Sequence, residues 1–228
     1  MDSSSHDNMS FLEHLEELRW HIIRSLIAIV SAGFICFLMK DFIFDTIIFG
    51  PKKMDFPTYK FLCQAATFIG VETTFCGDEF PFIVQNRTMA GQFSAHVMTS
   101  IISGFIISFP YILYEFWKFI SPGLLEKEKA KSRGFILISS LLFFIGVLFG
   151  YYIISPLSIN FLGTYQVSSQ VLNEIDLGSF ISLVRSSAIA SGIIFELPII
   201  IYFLTKAGVV TPESVSYTHL TLPTTEYV

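Results

Sequence analysis

The stretch Gly134–Ile154, GFILISSLLFFIGVLFGYYII, holds no charged residue over 21 positions. A bilayer core about 30 Å thick needs roughly 20 mostly apolar helical residues, each rising about 1.5 Å, because every backbone polar group must be satisfied within the segment. This run meets that condition and predicts a membrane-spanning helix. Working outward, three further runs meet it: Ile22–Met39, Val97–Phe119 and Phe180–Leu204, the last interrupted by Arg185 and Glu196. The expected fold is therefore an all-α polytopic membrane bundle with four spans. Composition agrees, since 52% of the 228 residues are hydrophobic, 25 are Phe and only 14% are charged, a solvent preference for lipid over water.

A net charge of −5 offers no general basic footprint for a phosphate backbone, which excludes nucleic acid as an expected partner. The opening MDSSSHDNMSFLEHLEELRW is acidic and lacks Lys or Arg before Arg19, the reverse of a cleaved signal's basic start, so no processing is expected. The three cysteines form no CxxC pair, and neither a metal site nor a cofactor is expected. Cys36 sits in an apolar run and reads as packing. Cys63 and Cys76 share one loop, where an oxidising compartment would permit a disulfide; sequence leaves open whether they are bonded or free.

Loop cations orient the chain. Arg19 and Arg24 precede the first span, Lys118, Lys127, Lys129, Lys131 and Arg133 crowd the short second-to-third link, and Lys206 follows the fourth span. GTYQVSSQVLNEIDLG, between the third and fourth spans, has none. The positive-inside rule then puts the N-terminus and the second-to-third link in the cytoplasm. The 40–95 segment lies outside, long enough to cross regardless of Lys52, Lys53, Lys60 and Arg87. At its start, Phe42, Ile43, Ile47 and Ile48 form an apolar cluster expected to lie in the interface before Pro51.

Three places can carry polar function. In MSFLEHLEELRWHIIR, Ser10 and Glu13 read as a capping box and Phe11, Leu12, Leu15 and Leu18 as an apolar stripe, so a helix begins here and runs into the first span. Its other face carries His14, Glu17, His21 and Arg24. Glu17 is either a cation site held just below the membrane or part of a solvated face with His21 or Arg24 as local partners. In YEFWKFISPGLLEKEKAKSR, Pro122 and Gly123 end the second span, and Glu126 and Glu128 stand among cations, a pattern that a solvated helix face also produces. In GIIFELPIIIYFL, Glu196 lies deep in an apolar run, where an ionised side chain costs roughly 2.5–3.5 kcal/mol. Pro198 is expected to open the backbone ladder beside it. Arg185 is eleven residues earlier, roughly 16 Å along the axis, too far for a direct pair.

Three of these segments, HLEELRWH at 14–21, FISPGLLEKE at 119–128 and FELP at 195–198, resemble the TatC family in order and placement, and the likeness extends from about Phe11 to Ser214. The resemblance implies a receptor subunit of the twin-arginine protein translocase in the bacterial inner membrane. It has no covalent chemistry of its own and binds the consecutive arginines of signal peptides on folded substrates. It further implies that Glu17 and Glu128 are the signal-binding carboxylates, with Arg19, Phe119 and Leu124 at motif positions around them. Glu196 maps to an intramembrane acid that docks single-span partner subunits, and self-association is expected too. A guanidinium presents a rigid fork that two fixed carboxylates can read where an ammonium fits less well.

The family continues after GVVTPES with a basic loop and two more spans, making six, whereas here SYTHLTLPTTEYV follows; the expectation is a chain truncated after the fourth span, with 216–228 a tail that resembles adapter or vector read-through. The competing reading is a proton-coupled small-solute carrier using Glu196, with Arg185, at a midplane site. It lacks the paired broken helices and internal repeat that carriers show. An enzyme is the weakest class, because no HExxH, GxSxG or cytoplasmic nucleophile with a neighbouring base is present.

Overall fold

A computed structural model describes residues 11–70, 76–77, 80–120, 132–168, 170–171 and 173–206. Four of its helices are long and apolar enough to cross a membrane: Leu15–Leu38, Gly91–Ile120, Gly134–Thr164 and Leu177–Tyr202. The first span belongs to α1 (Phe11–Leu38), one unbroken helix from the charged HLEELRWH turn into the apolar run. α2 (Pro57–Ile69) is a short helix between spans, begun by a proline at its first position and stopped by Gly70 at φ 76°, a left-handed conformation that glycine adopts without penalty. α3 (Gly91–Ile120) is the second span. α4 (Ser132–Phe149) passes through a wide π-type turn at Gly150–Ile154 into α5 (Ser155–Thr164), and α6 (Leu177–Lys206) completes the described bundle.

The helices pack mainly as two pairs, α1 with α3 and α4 with α6, and small residues set both contacts. A Cβ on Gly104 of α3 would fall 2.5 Å from the Gly33 nitrogen and 2.6 Å from the Ile29 oxygen of α1. Ser108 donates to the Ala28 carbonyl at 3.0 Å across the same seam. In the second pair, Gly146 and Gly150 lie against the backbone at Ser191 and Ser187. In lipid no hydrophobic drive pushes helices together, so close backbone approach and dispersion take its place. Gly104→Leu is expected to separate α1 from α3 at a cost of about 3 kcal/mol, the upper end of overpacking. A lowered midpoint in a detergent thermal-shift assay is the check, with Gly134→Ala, which has open space around it, unchanged. The opposite faces point to lipid: Val30, Phe34, Leu38, Leu137, Ile138 and Leu141 are all more than half exposed.

The third span is longer than the expected 134–154. Its helix continues ten residues beyond, through Pro156. Proline has no N–H to offer the carbonyl four residues back. That carbonyl, of Tyr152, instead accepts a hydrogen bond from the Thr58 hydroxyl on α2, and Ser155 Oγ donates to the Gly150 oxygen at 2.9 Å. The fourth helix likewise continues through Pro198, where the ladder loses the one bond that a proline cannot donate, to the Ile194 carbonyl, without a break in the helix.

One end of the bundle is closed by a cap built from the described residues of 39–70 and 80–85. Residues Phe42–Ile48 form a wide π-type helical turn. The expected interfacial cluster divides, with Ile43 and Ile48 buried in the protein and Phe42 and Ile47 exposed. The buried pair joins a core with Cys36, Phe82, Ile159, Phe180 and Val184. Two three-residue strands, β1 (Ile83–Gln85) and β2 (Glu174–Asp176), pair in parallel with Val84 opposite Ile175, a small addition to the all-α architecture. Arg87 bridges to Glu174 at 3.1 Å beside them. Cys63 and Cys76 are joined in a disulfide, with Cα atoms 5.1 Å apart.

Tyr59, fully buried at the centre of the cap, places its hydroxyl 2.9 Å from both the Pro51 and Pro156 carbonyl oxygens. Burial pushes its pKa far above the usual tyrosine value, so the proton stays available to those acceptors. Tyr59→Phe is expected to lower cap stability by about 1–3 kcal/mol, since it removes the one buried hydroxyl that ties the Pro51 and Pro156 carbonyls together. Faster proteolysis of the cap in the variant would register the loss.

Candidate functional site

At the opposite end of the bundle, where α1 begins and α3 ends, a cavity of about 430 Å³ is lined by Glu17, Trp20, His21 and Arg24 of α1 and Lys118 of α3. Helical spacing explains the set: positions 17, 20, 21 and 24 recur at three and four residues and share one face. Glu17 is half-buried in this wall and makes no hydrogen bond or ion pair with any described residue. The local-partner reading, in which His21 or Arg24 satisfies Glu17, is therefore corrected by the structure.

His21 and Arg24 turn instead to an acid on the other helix. His21 Nδ1 lies 2.5 Å from Glu115 Oε2, with both side chains buried, and an Arg24 guanidinium nitrogen lies 3.8 Å from the same oxygen. The Tyr111 hydroxyl, one turn earlier on α3, also faces this carboxylate. A carboxylate oxygen can only accept, so in this contact Glu115 as carboxylate takes the Nδ1–H that His21 donates. Sequence reasoning passed over Glu115 as the tail of an apolar span. The signal was present, because an acid inside a span calls for a named partner, and YEFWK places one four residues before Phe119. The triad bolts α1 to α3 directly beside the cavity.

Two other expected site residues fall differently. Phe119 meets the His21 ring edge-on at 6.1 Å, packing behind a lining residue of the cavity. Arg19 does not: it is exposed, pairs with Glu16 at 3.6 Å and lies 5.5 Å over Trp20. Leu124 and Glu128, together with residues 216–228, lie outside the described residues.

Glu196 sits elsewhere, between α4 and α6. It is 6% exposed, its polar neighbours are Ser139 and the Phe143 backbone, and its Oε1 has no hydrogen-bond partner among the described residues. Arg185 is not paired with it. No cluster of three metal-ligating side chains occurs among the described residues.

Comparison with known proteins places this arrangement. The family model for TatC, the Sec-independent protein translocase protein, matches residues 13–220. A TatC from Blattabacterium of Periplaneta americana is 45% identical over 206 residues, 90% of this chain and 77% of that protein. A TatC from Aquifex aeolicus is 35% identical over 211 residues, 91% of this chain and 77% of that protein. Two crystal structures of the twin-arginine translocase receptor TatC, one of them in DDM, superpose with TM-scores of 0.68 and 0.69 at 31% and 33% identity. Each covers 90% of this chain and 80–81% of the other. With four apolar helices, a matching fold and this extent of similarity, the chain belongs to the TatC family of membrane-embedded subunits of the Sec-independent protein translocase.

Proposed function

We propose that this chain captures twin-arginine signal peptides of folded substrates at the cavity where α1 and α3 meet, with Glu17 and Glu128 accepting the two guanidinium groups. The observation that carries the reading is the half-buried Glu17 carboxylate, open to the cavity and without an ion pair among the described residues. The neighbouring Glu115 is already satisfied by His21 and Arg24. An unpartnered fixed carboxylate at a membrane surface suits an arriving cation, and a second one on the adjacent link would favour a paired, forked one. Phe119 and Leu124 supply apolar contact beside the pair, and Arg19 acts from the rim.

In this reading the N-terminal end faces the cytoplasm of a bacterial inner membrane, as the Lys and Arg placement supports. Glu196, buried with an unsatisfied oxygen on the α4–α6 pair, docks single-span partner subunits of the translocase, and copies of the chain associate in the assembly. This reading calls for binding and docking alone, with no catalytic step and no cofactor.

A photo-crosslinking amino acid at Trp20 or Ile193 tests both halves in native membranes. A twin-arginine signal peptide is expected to crosslink at position 20, and a single-span partner at position 193, which is exposed three residues before Glu196. Absence of both crosslinks, together with proton-driven solute uptake lost in Glu196→Gln, would overturn the proposal in favour of a carrier.

A further inference from the structure

Arg185 lies about 12 Å down α6 from its start at Leu177. A charged side chain at that depth in a span is costly, and such residues face a partner or a cavity. No described residue forms a hydrogen bond or ion pair with it. It faces two cavities at once. One, of about 540 Å³, is walled by apolar side chains of α3, α4 and α6, including Ile102, Ile106, Val147 and Leu148, under the cap residues Ile47 and Phe56. The other, of about 400 Å³, lies by the beginnings of α3 and α6 and includes Thr88, Gly91 and Ser94. Arg185 thus lines both the larger apolar slot and a smaller cavity of mainly small residues that also carries the Thr88 and Ser94 hydroxyls.

We propose that these two cavities and Arg185 form a binding site for a single anionic phospholipid. The phosphate pairs with Arg185 beside the Thr88 and Ser94 hydroxyls in the smaller cavity, and an acyl chain enters the larger, apolar one. A guanidinium is permanently charged, binds phosphate oxygens in a forked geometry and sheds water more readily than an ammonium, so it suits a phosphodiester at this depth. The flexible stem can bring the head toward the surface along the α6 face, where the Thr88 and Ser94 hydroxyls add donors. The start of α3 at Gly91 contributes partial positive charge of the same sign. A zwitterionic lipid satisfies the slot equally but brings its own cation to the phosphate, so the net negative headgroup is the one the site selects. Occupancy would fill the wedge between the α1–α3 and α4–α6 pairs just beneath the cap.

Native mass spectrometry after limited delipidation tests this, using the full chain in nanodiscs of equal phosphatidylglycerol and phosphatidylcholine with identical acyl chains. Wild type is expected to retain phosphatidylglycerol over phosphatidylcholine by roughly tenfold, the worth of one charge-assisted pair. Arg185→Gln should retain the two equally, and Arg185→Lys should keep part of the preference. Ser103→Phe, which intrudes on the apolar slot from α3, should lose retained lipid with Arg185 intact. Each variant is accepted only if it elutes as a single species with the Cys63–Cys76 bond formed. An unchanged preference in Arg185→Gln would overturn the proposal. So would a crosslinker at position 185 that captures a single-span partner helix and no lipid. No signal peptide enters the assay, so its outcome is separate from that of the recognition reading.

Discussion

Replacing Glu17 with alanine is expected to weaken binding of an Arg-Arg signal peptide by about ten- to a hundredfold, the equivalent of one charge-assisted hydrogen-bonded pair of about 1.5–3 kcal/mol. The stability of the chain should hardly change, because Glu17 has no ion pair among the described residues to lose. Fluorescence anisotropy of a labelled peptide against the chain in nanodiscs measures the first quantity, and a thermal melt the second. Glu17→Gln should recover little, since it keeps an acceptor oxygen but not the charge. A melt lowered as much as the affinity would recast Glu17 as structural.

Glu115→Ala should show the reverse balance. Removing one partner of a buried charge pair leaves the other unpaired, a loss of about 3–5 kcal/mol in buried settings. Arg24 is about half exposed and water can reclaim it, whereas His21 is 7% exposed and cannot be rehydrated so readily; about 3 kcal/mol is therefore expected, at the low end. Because the triad ties α1 to α3, peptide affinity should fall as well, through displacement of Glu17 from the cavity. Glu115→Gln keeps an acceptor for His21 and should lie between wild type and alanine in both measurements. The double variant Glu115→Ala with His21→Ala should lose less stability than the two single losses added together, because neither partner is then left stranded. Simple additivity would mean that the 2.5 Å contact carries no coupling.

The four spans were legible because bilayer thickness imposes a length that runs such as Gly134–Ile154 satisfy without charge. The ten extra residues of the third span were not, since SPLSINFLGT mixes Pro, Ser and Asn into the pattern. The carbonyl four residues before Pro156 finds its donor 94 residues away, in the Thr58 hydroxyl, which local sequence cannot announce. The cap ladder escaped notice for a similar reason, as Ile83–Gln85 and Glu174–Asp176 are too short to announce themselves and pair only through the fold. In the candidate site, the face carrying Glu17, His21 and Arg24 followed from helical spacing. Their division of labour did not, because it depends on which α3 residue arrives opposite. Glu115 takes His21 and Arg24, and that contact leaves Glu17 open.

The most direct measurement of the central claim is the affinity of wild-type chain in nanodiscs for a signal peptide bearing Arg-Arg compared with the same peptide bearing Lys-Lys. Two carboxylates reading paired guanidinium forks predict a preference for Arg-Arg of at least about tenfold, abolished in Glu17→Ala and in Glu128→Ala. Equal affinity for the two peptides, or a preference that survives both substitutions, would contradict it.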